Sequence, residues 1–468
     1  MGKLFTALTL CTLLAAICAA QEDGLHVGFA AVDITPSVPA DRPVYIAGYG
    51  MNRKATGVHD PLFARTAVLV HGSEKIAIVS VDLVGLQYPT VKAIRSKLAG
   101  FRYVLVSSTH NHEGPDVIGI WGRGPFFRGV DDDYLARVVD LVASSVQKAA
   151  ESLTAVTAHY GTAEDESLLR DSRLPIVKDG VLRVLKLSKQ ASGEPAGLLV
   201  QWNCHPESLG PKNTLLTADF PWATVAALEK KYQCPVVYLS GAIGGLMGLP
   251  EQRICDASGK KLHDGNFEYA QRYGEEIADL TTKALAQAAP LRLTPFAISA
   301  KPVTIPVHNA LYRAARTVGV IRRESVTWTN AARAKGEPDG AEETHQSAIE
   351  SEVAYLRLGE LHVACIPGEL YPELVYGKYQ EPAAPGVDFP EAPLEPSVSS
   401  LMPGPKWLLI GLANDELGYI IPKRQWDKAE PFAYAKDGGQ YGEVNSCSSE
   451  VAPILMEALR QRVADVAP

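Results

Sequence analysis

The 468-residue sequence predicts an α/β fold, a mixed β-sheet core flanked by helices. Two observations carry this. Short apolar runs of strand length alternate with longer amphipathic stretches through most of the chain, which is how sheets covered by helices read. Hydrophobic residues make up 46% of the chain, enough for a large core. No apolar run reaches the ~20 residues that a membrane span requires. The charge balance of 45 Lys+Arg against 53 Asp+Glu gives a net charge of -8, without the basic footprint of a nucleic-acid binder.

Taken in order, residues 1–20 read as a cleavable signal peptide. Lys3 supplies a positive start, residues 4–17 form an apolar core, and Cys18-Ala19-Ala20 are small residues before Gln21. A secreted or periplasmic location follows. Residues 21–468 read as one domain, opening with a strand at 29–33. Runs 64–70 and 75–81 read as a hairpin around His71-Gly72-Ser73-Glu74. A helix over 89–98 stops at Gly100, and 103–107 is a short apolar strand. Residues 133–153 form an amphipathic helix, with Val138, Val139, Leu141, Val142 and Val146 on its apolar side. Strand 198–202, helix 221–232, strand 235–240 and helix 266–288 follow, then strands at 297–307, 353–366 and 407–412. Seven prolines between 381 and 405 forbid regular helix or central strand there, so this stretch reads as a surface excursion. Arg313, Arg316, Arg322 and Arg323 read as a solvated basic face. The five cysteines after residue 20 follow no disulfide spacing, and no C-x-x-C occurs.

Four segments carry chemistry. Ser107-Ser108-Thr109-His110-Asn111-His112-Glu113-Gly114-Pro115 follows a buried strand. On an extended chain His110 and His112 project to the same side. Two imidazoles leaving a strand end suit a metal, or one ligand beside one acid/base group; a pair of histidines capping a turn is the alternative. His205 lies at another strand end, before Pro206, and is read either as a ligand or as a structural histidine. Glu369 follows an apolar strand and the turn Pro367-Gly368, where a carboxylate faces a cleft or serves a helix N-terminus. The fourth is Asn414-Asp415-Glu416-Leu417-Gly418-Tyr419-Ile420-Ile421-Pro422, again after a strand. The sequence has no G-x-S-x-G, H-E-x-x-H, phosphate-binding loop or dinucleotide fingerprint. A mononuclear metal hydrolase with ligands from separate strand ends is what remains.

These segments, with Val27-Gly28-Phe29-Ala30-Ala31-Val32-Asp33-Ile34-Thr35-Pro36, Ala47-Gly48-Tyr49-Gly50 and His59-Asp60-Pro61-Leu62-Phe63-Ala64-Arg65, resemble the catalytic domain of the neutral/alkaline non-lysosomal ceramidases. The resemblance spans nearly the whole chain after residue 20. It implies a ceramidase-type α/β domain and a zinc ion held by His110, His205, Glu369 and Tyr419. It implies a transition-state role for His112, a second active-site tyrosine at Tyr441, and an arginine on the scissile group at Arg173, with Arg170 as competitor. The implied reaction is hydrolysis of an N-acyl amide, ceramide to sphingosine and fatty acid, with at most peripheral membrane contact. Two segments differ from the family pattern: Ser240-Gly241-Ala242-Ile243-Gly244-Gly245-Leu246-Met247-Gly248 and Thr217-Ala218-Asp219-Phe220-Pro221-Trp222. Both are expected near the pocket. The C-terminal immunoglobulin-like domain of characterised ceramidases is expected to be absent. A zinc hydrolase of another acyl amide or ester, and a non-catalytic exported binding protein, therefore stay open.

Overall fold

The fold was described from a computed structural model covering residues 24–38, 42–245, 247–328 and 347–466. The signal-peptide reading of 1–20 lies outside these residues. The strands, in chain order, are β1 (His26–Asp33), β2 (Gly57–Val58), β3 (Phe63–His71), β4 (Glu74–Val81), β5 (Tyr103–Ser108), β6 (Thr154–Glu164), β7 (Val181–Lys189), β8 (Pro195–Trp202), β9 (Leu215–Leu216), β10 (Val236–Ser240), β11 (Ala289–Leu291), β12 (Phe296–Pro306), β13 (Ala348–Leu358), β14 (Leu361–Cys365), β15 (Glu369–Leu370), β16 (Trp407–Ile410) and β17 (Tyr419–Ile420). The helices of eight or more residues are α1 (Tyr88–Ser96), α2 (Asp132–Glu151), α3 (Asp219–Tyr232), α4 (Phe267–Ala286), α5 (Ala310–Thr317) and α6 (Val451–Asp465).

Two sheets stack face to face. The larger runs β10-β8-β7-β6-β1-β3-β4-β5, with β11 on β6; the smaller runs β12-β13-β14-β16. Leu69, Ile78, Leu105, Leu187 and Leu239 from the first sheet meet Leu356, Val363 and Ile410 from the second in one buried cluster. Helices α1 to α4 cover the outer face of the large sheet, and α6 covers that of the small one. The layers are therefore helix, sheet, sheet, helix. Strand β5 is buried on both faces, which is why it reads as a continuous apolar run and not as an alternating one.

The predicted hairpin 64–81 is β3–β4, in the register Ala64↔Val81 to His71↔Glu74. The predicted strand 353–366 is two antiparallel strands, β13 and β14, turning at Gly359-Glu360. Strands β6 and β7 fall in a stretch where the sequence predicts no element. Cys204, Cys234, Cys255, Cys365 and Cys447 are unbridged. Among the described residues no helix is long and apolar enough to cross a membrane.

A buried polar knot fastens the two sheets near the site. Glu352 on β13 accepts two bonds from the Arg95 guanidinium of α1, both 2.8 Å, and one from the Tyr103 hydroxyl of β5, also 2.8 Å. Asn414 Nδ2 adds a fourth at 3.1 Å. Truncating Glu352 leaves a largely buried guanidinium without its counter-charge, a loss worth about 3–5 kcal/mol. Glu352→Ala is expected to lower the midpoint of urea unfolding accordingly. A loss below ~1 kcal/mol, the range of an exposed pair, would show the knot to be dispensable.

Candidate metal centre

Three parallel strand pairs, β4–β5, β8–β10 and β14–β16, point their C-terminal ends at one place, where open α/β sheets put their sites. Two residues past β5, the chain turns through His110 in the left-handed region (φ 67°), and the backbone N–H groups of His110 and Asn111 both donate to Leu83 O at 3.1 Å. The segment is thus a tight turn and not the extended chain expected. The turn still gathers the rings: His110 and His112 lie 4.8 Å apart between centroids, and His205 lies 5.0 Å from His110 and 5.7 Å from His112. His205 arrives from the end of β8, its backbone N–H held by Met247 O at 2.8 Å. Glu369 and Tyr419 come from a separate two-stranded parallel ribbon, where β15 and β17 pair them side by side. The structure therefore brings together His110, His112, His205, Glu369 and Tyr419, all buried.

The hydrogen bonds fix the ring tautomers. His110 Nδ1 lies 2.7 Å from Val84 O, and His205 Nδ1 lies 3.2 Å from Met247 O. A carbonyl only accepts, so each Nδ1 carries a proton, and each Nε2 is left to hold a proton toward Glu369 or, without it, to offer a lone pair to a metal. Those two nitrogens face one carboxylate oxygen, Glu369 Oε2, at 3.5 and 2.8 Å, and Tyr419 also hydrogen-bonds Glu369. Lone pairs this close require a proton or a cation between them. Backbone carbonyls orienting the far nitrogen are the usual outer support of a ligating histidine. The donor set of two imidazoles, a carboxylate and a phenol oxygen suits zinc.

Electrostatics separate the members. Burial pushes His110 down to about 4. Burial and the neighbouring imidazoles and Arg53 hold His112 well below the usual range, so it is neutral. Burial also opposes charge on His205, but the hydrogen bond and charge of Glu369 outweigh it and raise the imidazole. Glu369 is lowered against its own burial by His110 and His205. Burial, with Glu369 beside it, holds Tyr419 well above an ordinary phenol. Among the described residues, His110, His112 and His205 form a set whose ligating atoms lie within 4.8 Å of one another. His112 differs from the other two in its support: its Nδ1 has no hydrogen-bond partner, and Glu207 Oε2 is 3.8 Å away. Its position is set from behind. Gly48, at φ 100°, is pressed against the ring so closely that a Cβ there would stand 2.4 Å from His112 Cγ. Tyr49 meets the ring edge-on at 5.2 Å. Arg53, paired with Glu113 at 2.8 Å, donates to the carbonyls of Ala47 and His112.

An apolar cavity of about 470 Å3 opens on the centre, within the size range of small-molecule sites. His110, His112, Glu369 and Tyr419 line it, with Ile118, Trp121, Val307, Ile349 and Leu417 among its apolar walls; His205 stands behind Glu369 and does not reach it. Tyr441 lines the cavity at its mouth, 50% exposed, its ring 5.8 Å from that of Tyr419. Arg173 is not in the cavity. Its guanidinium is taken up by Glu443 at 2.7 and 3.0 Å and by the carbonyls of Tyr441 and Gln425. The side chain thus has four bonds committed to the loop that bears Tyr441 and its surroundings. Arg170 is farther out, paired with Glu251 at 2.6 Å. The segments around 217–222 and 240–248, expected beside the pocket, also stand behind it. Asn111 Nδ2 bonds Thr217 O, and Gly244 packs on Glu369 O, but none of the described residues of either segment lines the cavity.

Sequence reasoning missed Glu416. Its carboxyl lines the cavity, and Oε1 accepts the Gly418 N–H at 2.7 Å. Oε2 has no partner and lies 3.9 Å from His110 Nδ1; burial and Glu369 raise it well above the usual range. The acidic run Asp415-Glu416 was visible, but only the fold tells which of the two turns inward, since Asp415 pairs with Arg323.

No family model and no curated protein matches this sequence. Solved structures do. The neutral ceramidase from Pseudomonas aeruginosa superposes with a TM-score of 0.70 at 16% identity, over 95% of this chain and 75% of that one. A ceramidase complexed with C2 gives 0.67 at 14% identity over the same shares. The chain thus has the fold of neutral ceramidase along nearly its whole length.

Proposed function

We propose that this protein is an exported zinc-dependent amidohydrolase that cleaves N-acyl amides of the ceramide kind. The observation that carries the reading is the pair of Nε2 atoms, fixed by Val84 O and Met247 O, that converge on Glu369 beside an apolar cavity. His110, His205, Glu369 and Tyr419 would hold the metal. Bound there, zinc supplies a Lewis acid and a water of lowered pKa. The likeness in fold to neutral ceramidase supports the substrate class.

In the reaction, water adds across the amide: the hydroxyl goes to the acyl carbon, the C–N bond breaks, and the nitrogen leaves protonated as an amine. His112, neutral and locked by Gly48, Tyr49 and Arg53, keeps one N–H to donate to the carbonyl oxygen as it becomes negative. Tyr441 offers a second donor from the mouth. Arg173 acts through Tyr441, as a positioning residue. The apolar walls at Ile118 and Trp121 take the acyl chain and exclude water.

A panel of purified substrates tests the reading: ceramide, simple N-dodecanoyl amines and a dodecanoyl ester, followed by fatty-acid and amine release. The expected result is equimolar acid and amine from the amides. Turnover of the ester alone would make the protein an esterase of the same fold, and turnover of none would leave a binding protein.

A further inference from the structure

We infer that the cavity selects acyl amides whose amine portion carries an anionic group, and that Arg316 receives that group. The inference rests on the hydrolase reading and narrows its substrate. Arg316 and Tyr312 lie four residues apart on α5, hence on one helix face, and both line the cavity. Tyr312 marks the metal end: a Cβ on Gly418, the neighbour of Tyr419, would stand 3.3 Å from its hydroxyl. Arg316 therefore enters the same space about one helical turn, ~5.4 Å, along α5 from Tyr312.

Its surroundings leave its charge unanswered. Arg316 Nη2 donates to the hydroxyls of Ser325, at 3.2 Å, and Ser347, while Nη1 is buried without a hydrogen-bond partner. Among the described residues no carboxylate pairs with it. The other arginines of this stretch that have acidic partners differ in kind: Arg322 pairs with Asp132 at 2.6 Å, and Arg323 grips Asp415 with both nitrogens. Glu416 shares the cavity, but it is held by the Gly418 N–H and lies toward His110. Arg316 shares the cavity lining with apolar Val307, Ile321 and Ile349, and with Arg323, whose charge is answered by Asp415. A guanidinium half-sunk in an apolar wall is costly unless a ligand brings the counter-charge. A guanidinium attracts a carboxylate, sulfonate or phosphate through a charge-assisted contact. Ceramide carries no such group; an acyl amide of an amino acid, an aminosulfonate or a phosphorylated amino alcohol does.

The test compares four amides with one acyl chain: N-dodecanoyl-γ-aminobutyrate, N-dodecanoyltaurine, N-dodecanoylphosphoethanolamine and neutral N-dodecanoylethanolamine. Both kcat/KM and equilibrium binding are measured on the zinc-loaded protein. At least one anionic amide should exceed the neutral one by roughly 10-fold or more, the scale of a charge-assisted contact, and which one identifies the group. Arg316→Gln should collapse that ratio toward one, and Arg316→Lys should keep part of it. A wild-type ratio of one or below for all three anions, or a ratio unmoved by Arg316→Gln, overturns the inference while leaving the hydrolase reading intact. Anion-selective binding that Arg316→Gln abolishes, with no amide cleaved, sustains the anion site and ends the hydrolase reading.

Discussion

His205→Ala is expected to abolish metal binding and activity together. The residue is buried, behind the cavity, and its Nε2 is the nearest nitrogen to Glu369. It has no route to substrate, so its removal acts only through the centre. Wild-type protein should carry about one zinc per chain by mass spectrometry, the mutant little or none, and amide turnover should fall at least ~10³-fold, as expected when a water is no longer activated. Circular dichroism checks that the fold survives. Full zinc retention in His205→Ala would remove the residue from the ligand set.

His112→Ala is expected to behave differently. A metal centre needs an open position for water, and His110, His205, Glu369 and Tyr419 already supply four protein groups. The His112 ring touches the cavity, yet its Nδ1 lacks the backbone anchor that orients the other two histidines. That pattern fits a donor to the developing oxyanion. The mutant should keep its zinc and lose roughly 10²–10³ in kcat, with kcat/KM falling in parallel, the mark of an interaction made only in the transition state. Because three imidazoles lie within mutual reach, the experiment decides a real choice. A zinc-free His112→Ala would place His112 among the ligands.

How much of this could be read from the sequence depended on how local the signal was. The hairpin β3–β4 and helices α1 to α4 announce themselves by periodicity and turn residues within a few positions. The stacking of two sheets does not, because an apolar strand says that it is buried and not against what. Strand β6 escaped notice because Ala, Thr and Gly fill it and no apolar run forms. His110, His205 and Glu369 stand out because each follows a strand whose end is legible; Tyr419 is singled out only by the resemblance. Their convergence depends on pairings remote in sequence, such as Glu369↔Tyr419 in a ribbon only two residues long. The turn at His110 was hidden for a related reason: the carbonyl that ties it down belongs to Leu83, on the neighbouring strand's exit. Arg173 was given a substrate contact, and its partner Glu443 lies 270 positions away. Arg316 was read as a solvated cation, since nothing local shows that its helix turns it inward.

The most direct test of the central claim is turnover of an N-acyl amide by protein stripped of metal and then restored. Chelated protein should release no fatty acid. One equivalent of zinc per chain should restore release of acid and amine in equal amounts, in the wild type and not in His205→Ala. Unchanged hydrolysis after chelation, or a fully zinc-loaded protein that cleaves neither amide nor ester, would contradict the account.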